Sequence, residues 1–388
     1  MEDVLVVGFG AVGVIYSHIL KRTGRVRVSA VARSNYRTAL GKKFRTIFLG
    51  SACVLSTDSI ISTDRGIDIE SVKYGNTPNW RPDRLFPSVS AAAASGPYSD
   101  VLVCTKCLPD IQPTSQLLAP FFEQSYTSKH PQPVYSLLQN GLGVEADLYQ
   151  YSRSKLPNIN PLIISTSLYI GTNLRGPHTV QHNDFDRLTL GIYKPNWKDK
   201  LGEPTQEIEQ RAMKHIGDIL AAGGTQIKIV DEIQSVKFSK NLWNATFATL
   251  STLTDTRLPV VFATKDTEAL IKPHVTAVLT ELLKIGHAYF PESSLPSSLI
   301  ETTYENTAKL HRGRDNKHTP SMLLDRQENR AMEVDVIVGE CIRMAKEKGI
   351  SVPRLETLYS LLLVIQHQLT LKKASVSDAI EPKLSAPL

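Results

Sequence analysis

The chain opens with an apolar run, Val4-Leu5-Val6-Val7. It is followed at once by Gly8-Phe9-Gly10-Ala11-Val12-Gly13 and then by apolar residues at helical spacing, Val14, Ile15, Ile19 and Leu20. A short buried strand, a glycine turn and an amphipathic helix in that order confine the N-terminal half to an alternating α/β architecture with a parallel sheet. The three glycines have separate reasons. One makes the turn, one lets the backbone approach a pyrophosphate, and one lets helix and strand pack closely. The helix N-terminus then offers free N–H groups and the positive end of its dipole to phosphates. Gly8, Phe9, Gly10, Ala11, Val12 and Gly13 are therefore expected to bind a dinucleotide, a plain structural turn being the alternative.

A second strand pattern, Val26–Ala32, ends at Arg33. No carboxylate stands there to bond ribose hydroxyls, and an arginine suits a 2′-phosphate. NADPH is the expected cofactor. An ordinary surface arginine is the competing reading.

Further strands are expected at Val101–Cys104, Val134–Leu138, Leu162–Tyr169, Thr179–His182 and Leu188–Ile192, the last three as an antiparallel extension of the sheet. From Pro204 the pattern turns helical: Glu207–Ala222, Asp231–Thr254, Lys265–His287, Pro320–Gly349 and Leu355–Leu371. The fold class is α/β, an N-terminal Rossmann-like doubly wound sheet over residues 1–203 followed by an all-helical domain over 204–372. Residues 373–388 read as a disordered tail. Residues 38–65, basic at first and then apolar and Ser/Thr-rich without period, read as an irregular, peripheral insertion.

At 388 residues, 41% hydrophobic and 21% charged, the composition is that of a soluble globular chain. The net charge of +6 is spread along the chain without a basic-aromatic stripe, so nucleic acid is not an expected partner. No apolar run is long enough to span a membrane, and the first strand begins almost at Met1, so no signal peptide and a cytoplasmic location are expected. Four cysteines do not make a secreted disulfide framework. Cys104-Thr105-Lys106-Cys107 is a C-x-x-C at a strand end. It lacks the helix N-terminus or second ligand pair that redox or zinc chemistry would need, and no metal site is expected.

Lys240, Asn244 and Ala248 share a face of the Asp231–Thr254 pattern among apolar residues. A partly buried lysine has a lowered pKa, which suits the general acid that a ketone reduction requires. A snorkelling lysine is the bland alternative, and Lys237 is a rival one turn earlier. In His318-Thr319-Pro320-Ser321, Thr319 is expected to cap a helix with Pro320 at its first position, leaving Ser321 in the first turn. Glu333, expected on the same helical face as Ile337, Cys341 and Met344, needs a partner, either a substrate hydroxyl or Arg330. Lys106 and Asn140 follow two strands at their C-terminal ends, where doubly wound sheets bind ligands, although Asn140-Gly141 also reads as an ordinary turn.

Together the Gly8–Gly13 turn, Val103–Lys106, Gln139-Asn140-Gly141, Lys240-x3-Asn244 and Pro320-Ser321-Met322-Leu323 through Glu333-x-Asp335 resemble the ketopantoate reductase (2-dehydropantoate 2-reductase) family over most of the chain. The resemblance implies an NADP-dependent oxidoreductase. Lys240 would be the general acid, Glu333 would hold the substrate hydroxyl, and Asn244 and Ser321 would bind the oxoacid. Asn140 and Lys106 would border the nicotinamide, and Arg33 would meet the 2′-phosphate. A small-molecule 2-oxoacid is the implied partner, and a homodimer is allowed. Two departures stand out. Ala248 occupies the place where the family often has a second asparagine, and 38–65 has no clear counterpart. The alternatives are a related 2-oxoacid or secondary-metabolite ketoreductase, a hydroxyacid dehydrogenase working oxidatively, or a non-catalytic NADPH-binding protein.

Overall fold

The computed structural model describes residues 1–32, 66–159, 161–195, 206–312 and 318–380, with 372–380 described as backbone alone. Arg33 and the 38–65 stretch singled out above lie outside the described residues. The chain forms two compact units: Met1–Lys106, Ser115–Gln139 and Glu145–Ile233 make the first, and Cys107–Thr114, Asn140–Val144 and Gln234–Leu388 the second.

The first unit is built on one ten-stranded sheet: β1 (Glu2–Val7), β2 (Val26–Val31), β3 (Ile67–Ser71), β4 (Thr77–Trp80), β5 (Arg84–Phe86), β6 (Asp100–Val103), β7 (Val134–Leu137), β8 (Ile163–Arg175), β9 (Thr179–Ile192) and β10 (Gln226–Ile229). Its order is β4-β3-β9-β8-β7-β6-β1-β2-β5, with β10 paired to β9. The strands from β5 to β8 are parallel, and β1, buried from Asp3 to Val7, reads as the continuous apolar run that a strand covered on both faces requires. Helix α1 (Ala11–Arg22) packs Val14, Ile15, Ile19 and Leu20 into the core beside it.

The antiparallel extension is one long hairpin of β8 and β9. Strand β9 runs on through Asn183, but the pairing shifts register there, Asn183–Phe185 lying opposite Gly171 between the Ile170 and Thr172 pairs. β3 runs along the first part of β9 and β10 along its later part. Helix α2 (Ala146–Lys155) lies before the hairpin and α3 (Gln206–Ala222) after it. The unit therefore runs on to Ile233 instead of ending at 203. Met213, Ile216, Ile219 and Leu220 of α3 join the sheet's core, and β10 needs β9 for its hydrogen bonds.

The second unit is helical: α4 (Ile233–Trp243), α5 (Thr249–Thr254), α6 (Lys265–Tyr289), α7 (Leu299–His311), α8 (Ser321–Gln327), α9 (Glu340–Glu347) and α10 (Pro353–Ile380). Two π-helical segments interrupt the regular winding, Asn244–Ala248 between α4 and α5, and Asp335–Gly339 ahead of α9.

The single helix expected over 320–349 is thus broken. α8 stops at Gln327, Asn329 turns back with a φ of +52°, and the backbone of Met332, outside any helix, is held by Gln366, which accepts from its N–H and donates to its carbonyl. The last helix also continues beyond the expected end near Leu371, through Ile380. No glycine or proline stands between Pro353 and Pro382 to stop it.

Candidate active site

In the first unit the glycine turn shows three different demands. Gly8 has a φ of +101°, and a Cβ there would come within 2.6 Å of the Thr105 nitrogen. A Cβ on Gly13 would lie 1.9 Å from the Gly8 carbonyl oxygen, so this glycine makes the close helix–strand approach. Around Gly10, by contrast, a Cβ would meet nothing within 4 Å among the described residues. Gly10 is exposed and occupies the N-cap of α1 with no side-chain cap, leaving the helix's first N–H groups turned outward. A bare helix N-terminus, fronted by a glycine whose missing side chain the protein itself does not require, fits an anionic pyrophosphate. Basic Lys21 and Arg22 at the other end agree with the same dipole.

Phe9 does not share that outward aspect. Its side chain is buried and its ring stacks on Trp80 with centroids 6.3 Å apart, so only its backbone is available to a ligand. Trp80, on a four-residue strand, carried no sequence signal for this role. Farther along α1, Tyr16 donates to the buried carboxylate of Asp186 at 2.8 Å, and Tyr74 and Thr225 donate to its other oxygen at 2.9 and 2.7 Å. These three hydroxyls satisfy the buried charge and tie the turn-bearing helix to β9.

The second unit brings together Asn140, Lys240 and Glu333 from three distant stretches. The Lys240 ammonium donates to Asn140 Oδ1 at 2.7 Å, and Asn140 Nδ2 donates to Glu333 Oε2 at 3.4 Å. Glu333 is buried and also accepts from the Cys107 backbone N–H at 3.1 Å. The Asn140 amide therefore has its oxygen turned to the cation and its nitrogen to the carboxylate. Burial lowers the Lys240 pKa to about 8, against the opposing pull of the Glu333 charge and with added repulsion from Lys237. Gly141, at φ +88°, keeps the loop in place, since a Cβ there would be 2.6 Å from Val336.

Glu333 is not on a helical face with Ile337. It ends the non-helical segment just before the second π segment, its carbonyl accepting from the Ile337 N–H at 3.2 Å. Arg330, the alternative partner, bonds Asp325 at 3.0 Å and also Glu328. Spacing does not separate Lys240 from Lys237, because Asn241 stands four residues after Lys237 just as Asn244 follows Lys240. The contacts do. Asn241 is buried and donates to the Ile337 carbonyl at 2.8 Å and to Cys341 Sγ at 3.4 Å, filling a structural need of the wide π turn. Asn244, at the first position of its own π segment, is half-buried.

Ser321 is exposed at the first helical position of α8, which packs against the Asn244–Ala248 segment. Pro320, not Thr319, is the N-cap, and it supplies no side-chain bond. Pro320's extended ψ of 140° starts the helix one residue later than expected. Lys106 is exposed at the end of the β6 stretch. Cys104 is half-buried, and burial pushes its thiol well above the usual range, which is the opposite of a reactive redox cysteine.

Both parts of the chain match one family. Residues 4–195 fit the family model described as ketopantoate reductase PanE/ApbA, and residues 232–366 fit its C-terminal counterpart. The chain belongs to the ketopantoate reductase family and carries its oxidoreductase fold. An uncharacterised protein of Saccharomyces cerevisiae, YDL144C, is 25% identical over 386 residues, 96% of each chain. A 2-dehydropantoate 2-reductase of Nostoc sp. is 26% identical over 279 residues, covering 71% of this chain and 78% of the relative. A solved D-mandelate dehydrogenase with NADH and anilino(oxo)acetate shares the fold at a TM-score of 0.69 and 18% identity, covering 95% of this chain and 99% of that one. Among the described residues, no helix is long and apolar enough to cross a membrane.

Proposed function

We propose that the protein is an NADPH-dependent reductase of 2-oxoacids, with 2-dehydropantoate (ketopantoate) to pantoate, in pantothenate and coenzyme A synthesis, as the leading reaction. The observation that carries this reading is the Lys240–Asn140–Glu333 chain, in which a lysine with a pKa near 8 stands at the end of a fixed polar relay. NADPH, when bound, supplies the hydride. Lys240 gives its proton to the carbonyl oxygen of the substrate as that oxygen gains charge, a task matched to a pKa close to the working pH. Asn140 holds the ammonium in position, and Glu333 accepts a hydrogen bond from the substrate hydroxyl. Asn244 and Ser321 receive the carboxylate end. Gly10 and the N–H groups of α1 hold the pyrophosphate, Lys106 and Asn140 border the nicotinamide, and Arg33 selects the 2′-phosphate.

The test follows NADPH oxidation with ketopantoate, wild type beside Lys240→Ala. We expect kcat to fall by about 10³ in the variant with NADPH affinity kept, the span ascribed to a positioned general acid. Turnover surviving the substitution would remove Lys240 from the role. A second reading, another 2-oxoacid reductase on this fold, is favoured by Ala248, whose methyl group offers a substrate no hydrogen bond. The D-mandelate dehydrogenase likeness points the same way.

A further inference from the structure

The buried stripe of α10 carries one polar interruption. Leu355, Leu358, Leu362 and Leu369 are buried at helical spacing, and Gln366 takes the place between the last two, only 5% exposed. A leucine there would serve packing alone. The glutamine amide is instead fully engaged: Oε1 accepts from the Met332 N–H at 2.9 Å, while Nε2 donates to the Met332 carbonyl at 3.2 Å and to Asp110 Oδ2 at 3.0 Å. Turning the amide over would set its oxygen against both acceptors, so its orientation is fixed. Met332 is buried and directly precedes Glu333.

Asp110 belongs to a tight turn in which the Ile111 and Gln112 N–H groups both bond the Leu108 carbonyl, at 3.0 and 2.8 Å. That turn starts at Cys107, whose own N–H bonds Glu333 Oε1. One short turn of the second unit therefore grips the carboxylate directly at one end and, through Gln366, the backbone before it at the other. We propose that Gln366, braced by Asp110, is a positioning residue for the reaction, fixing the backbone before Glu333 so that the carboxylate stays aimed at Asn140 and, through it, at Lys240. This rests on the 2-oxoacid reductase reading above. A buried carboxylate is drawn toward water, and a displacement of about 1 Å at a reacting group is enough to cost a large factor in rate.

The test compares wild type, Gln366→Leu, Glu333→Gln and the double variant by kcat for ketopantoate across pH. Gln366→Leu, which keeps the stripe apolar, should lower kcat about tenfold with NADPH affinity kept. Glu333 and Lys237 are the charges that act on Lys240, and a carboxylate that drifts away raises the lysine's pKa less. The falling limb should therefore move to lower pH in Gln366→Leu. In the Glu333→Gln background the same replacement should change kcat by less than about twofold and leave the limb in place, because the two residues act as one unit. An equal loss in both backgrounds, or a limb that Gln366→Leu does not move, overturns the proposal. Asp110→Ala, at an exposed position, should lower kcat about threefold, the worth of one hydrogen bond. Asp110→Asn still accepts from Gln366 and should restore the rate; equal impairment in both Asp110 variants overturns the brace. If the wild type reduces no 2-oxoacid, the reductase reading fails. The titration of Lys240, followed by NMR in protein with isotope-labelled lysine and assigned with Lys240→Arg, then decides on Gln366: a shift to lower pH in Gln366→Leu supports its role, and an unmoved titration overturns it.

Discussion

The glycine turn of the first unit and the lysine cluster of the second are both candidate binding machinery, but they are made of different material. The turn is backbone. Gly8, Gly10 and Gly13 act through what they lack, and six consecutive residues contain the whole device. The cluster is made of side chains drawn from residues 140, 240 and 333 and from the N–H of Cys107, each held by its own packing. A backbone site tolerates almost no change at its tight positions and reports damage as lost folding. A side-chain site can be emptied one group at a time and reports damage as lost chemistry.

That contrast is breakable. The largest effect belongs to Gly13→Ala. Its Cβ would meet the Gly8 carbonyl at 1.9 Å, and we expect the melting temperature of the protein to drop by ~10 °C or more. An unchanged melting curve would mean that the turn is not packed as described. Next comes Glu333→Gln, for which we expect about a hundredfold loss of kcat with folding kept.

The same substitution sharpens the comparison through pH. Lys240 acts in its protonated form, so turnover should be level below its pKa and fall above about 8. The Glu333 charge raises that pKa, so removing it should move the falling limb to lower pH. A limb that stays put or moves upward would separate the two groups electrostatically.

Gly10→Ala should do less and do it elsewhere. No atom of the described residues opposes the new methyl group, so the melting temperature should hold while NADPH affinity weakens about tenfold, measurable by calorimetric titration. Equal loss of stability and affinity would erase the distinction drawn among the three glycines. The smallest effect is expected from Lys237→Met. Removing a like charge from the neighbourhood of Lys240 should move the falling limb to higher pH by under about one unit, with little change in kcat at its plateau.

What could be read in the sequence follows the same division. The turn, β1 and α1 were legible because strand, glycines and helix are contiguous and their periods are unbroken. The short strands were not. β4 is Thr77-Pro78-Asn79-Trp80, with a proline and an asparagine at φ +53°, both tolerated because it is an edge strand. Glu333 was rightly marked as a buried carboxylate in need of a partner, but periodicity placed it on a helix. The non-helical segment there is held by Gln366, thirty-three residues away, which no local pattern reveals. The Cys107 N–H could not be found at all, because a backbone donor has no residue signature. Lys237 and Lys240 each have an asparagine at i+4, and the commitment of Asn241 to Ile337, with Lys240's own bond to Asn140, tells them apart.

The two π segments have a consequence for how this chain can change. A π turn is an α-helix that has accepted one extra residue without breaking. Each of these helices therefore holds a spare residue in its length, one directly after the lysine's helix and one beginning two residues after Glu333. Deleting a single residue from 244–248 would let an ordinary helix re-form with Lys240 and Thr249 in almost the same relation, because the wide turn spends one more residue on about the same rotation and rise. The aim of the acid against the rest of the unit is thus insulated from a change of chain length there, whereas the residues inside the wide turn are not. An in-frame deletion of one codon there would shift the place of Asn244 or its neighbours while leaving Lys240 aimed as before.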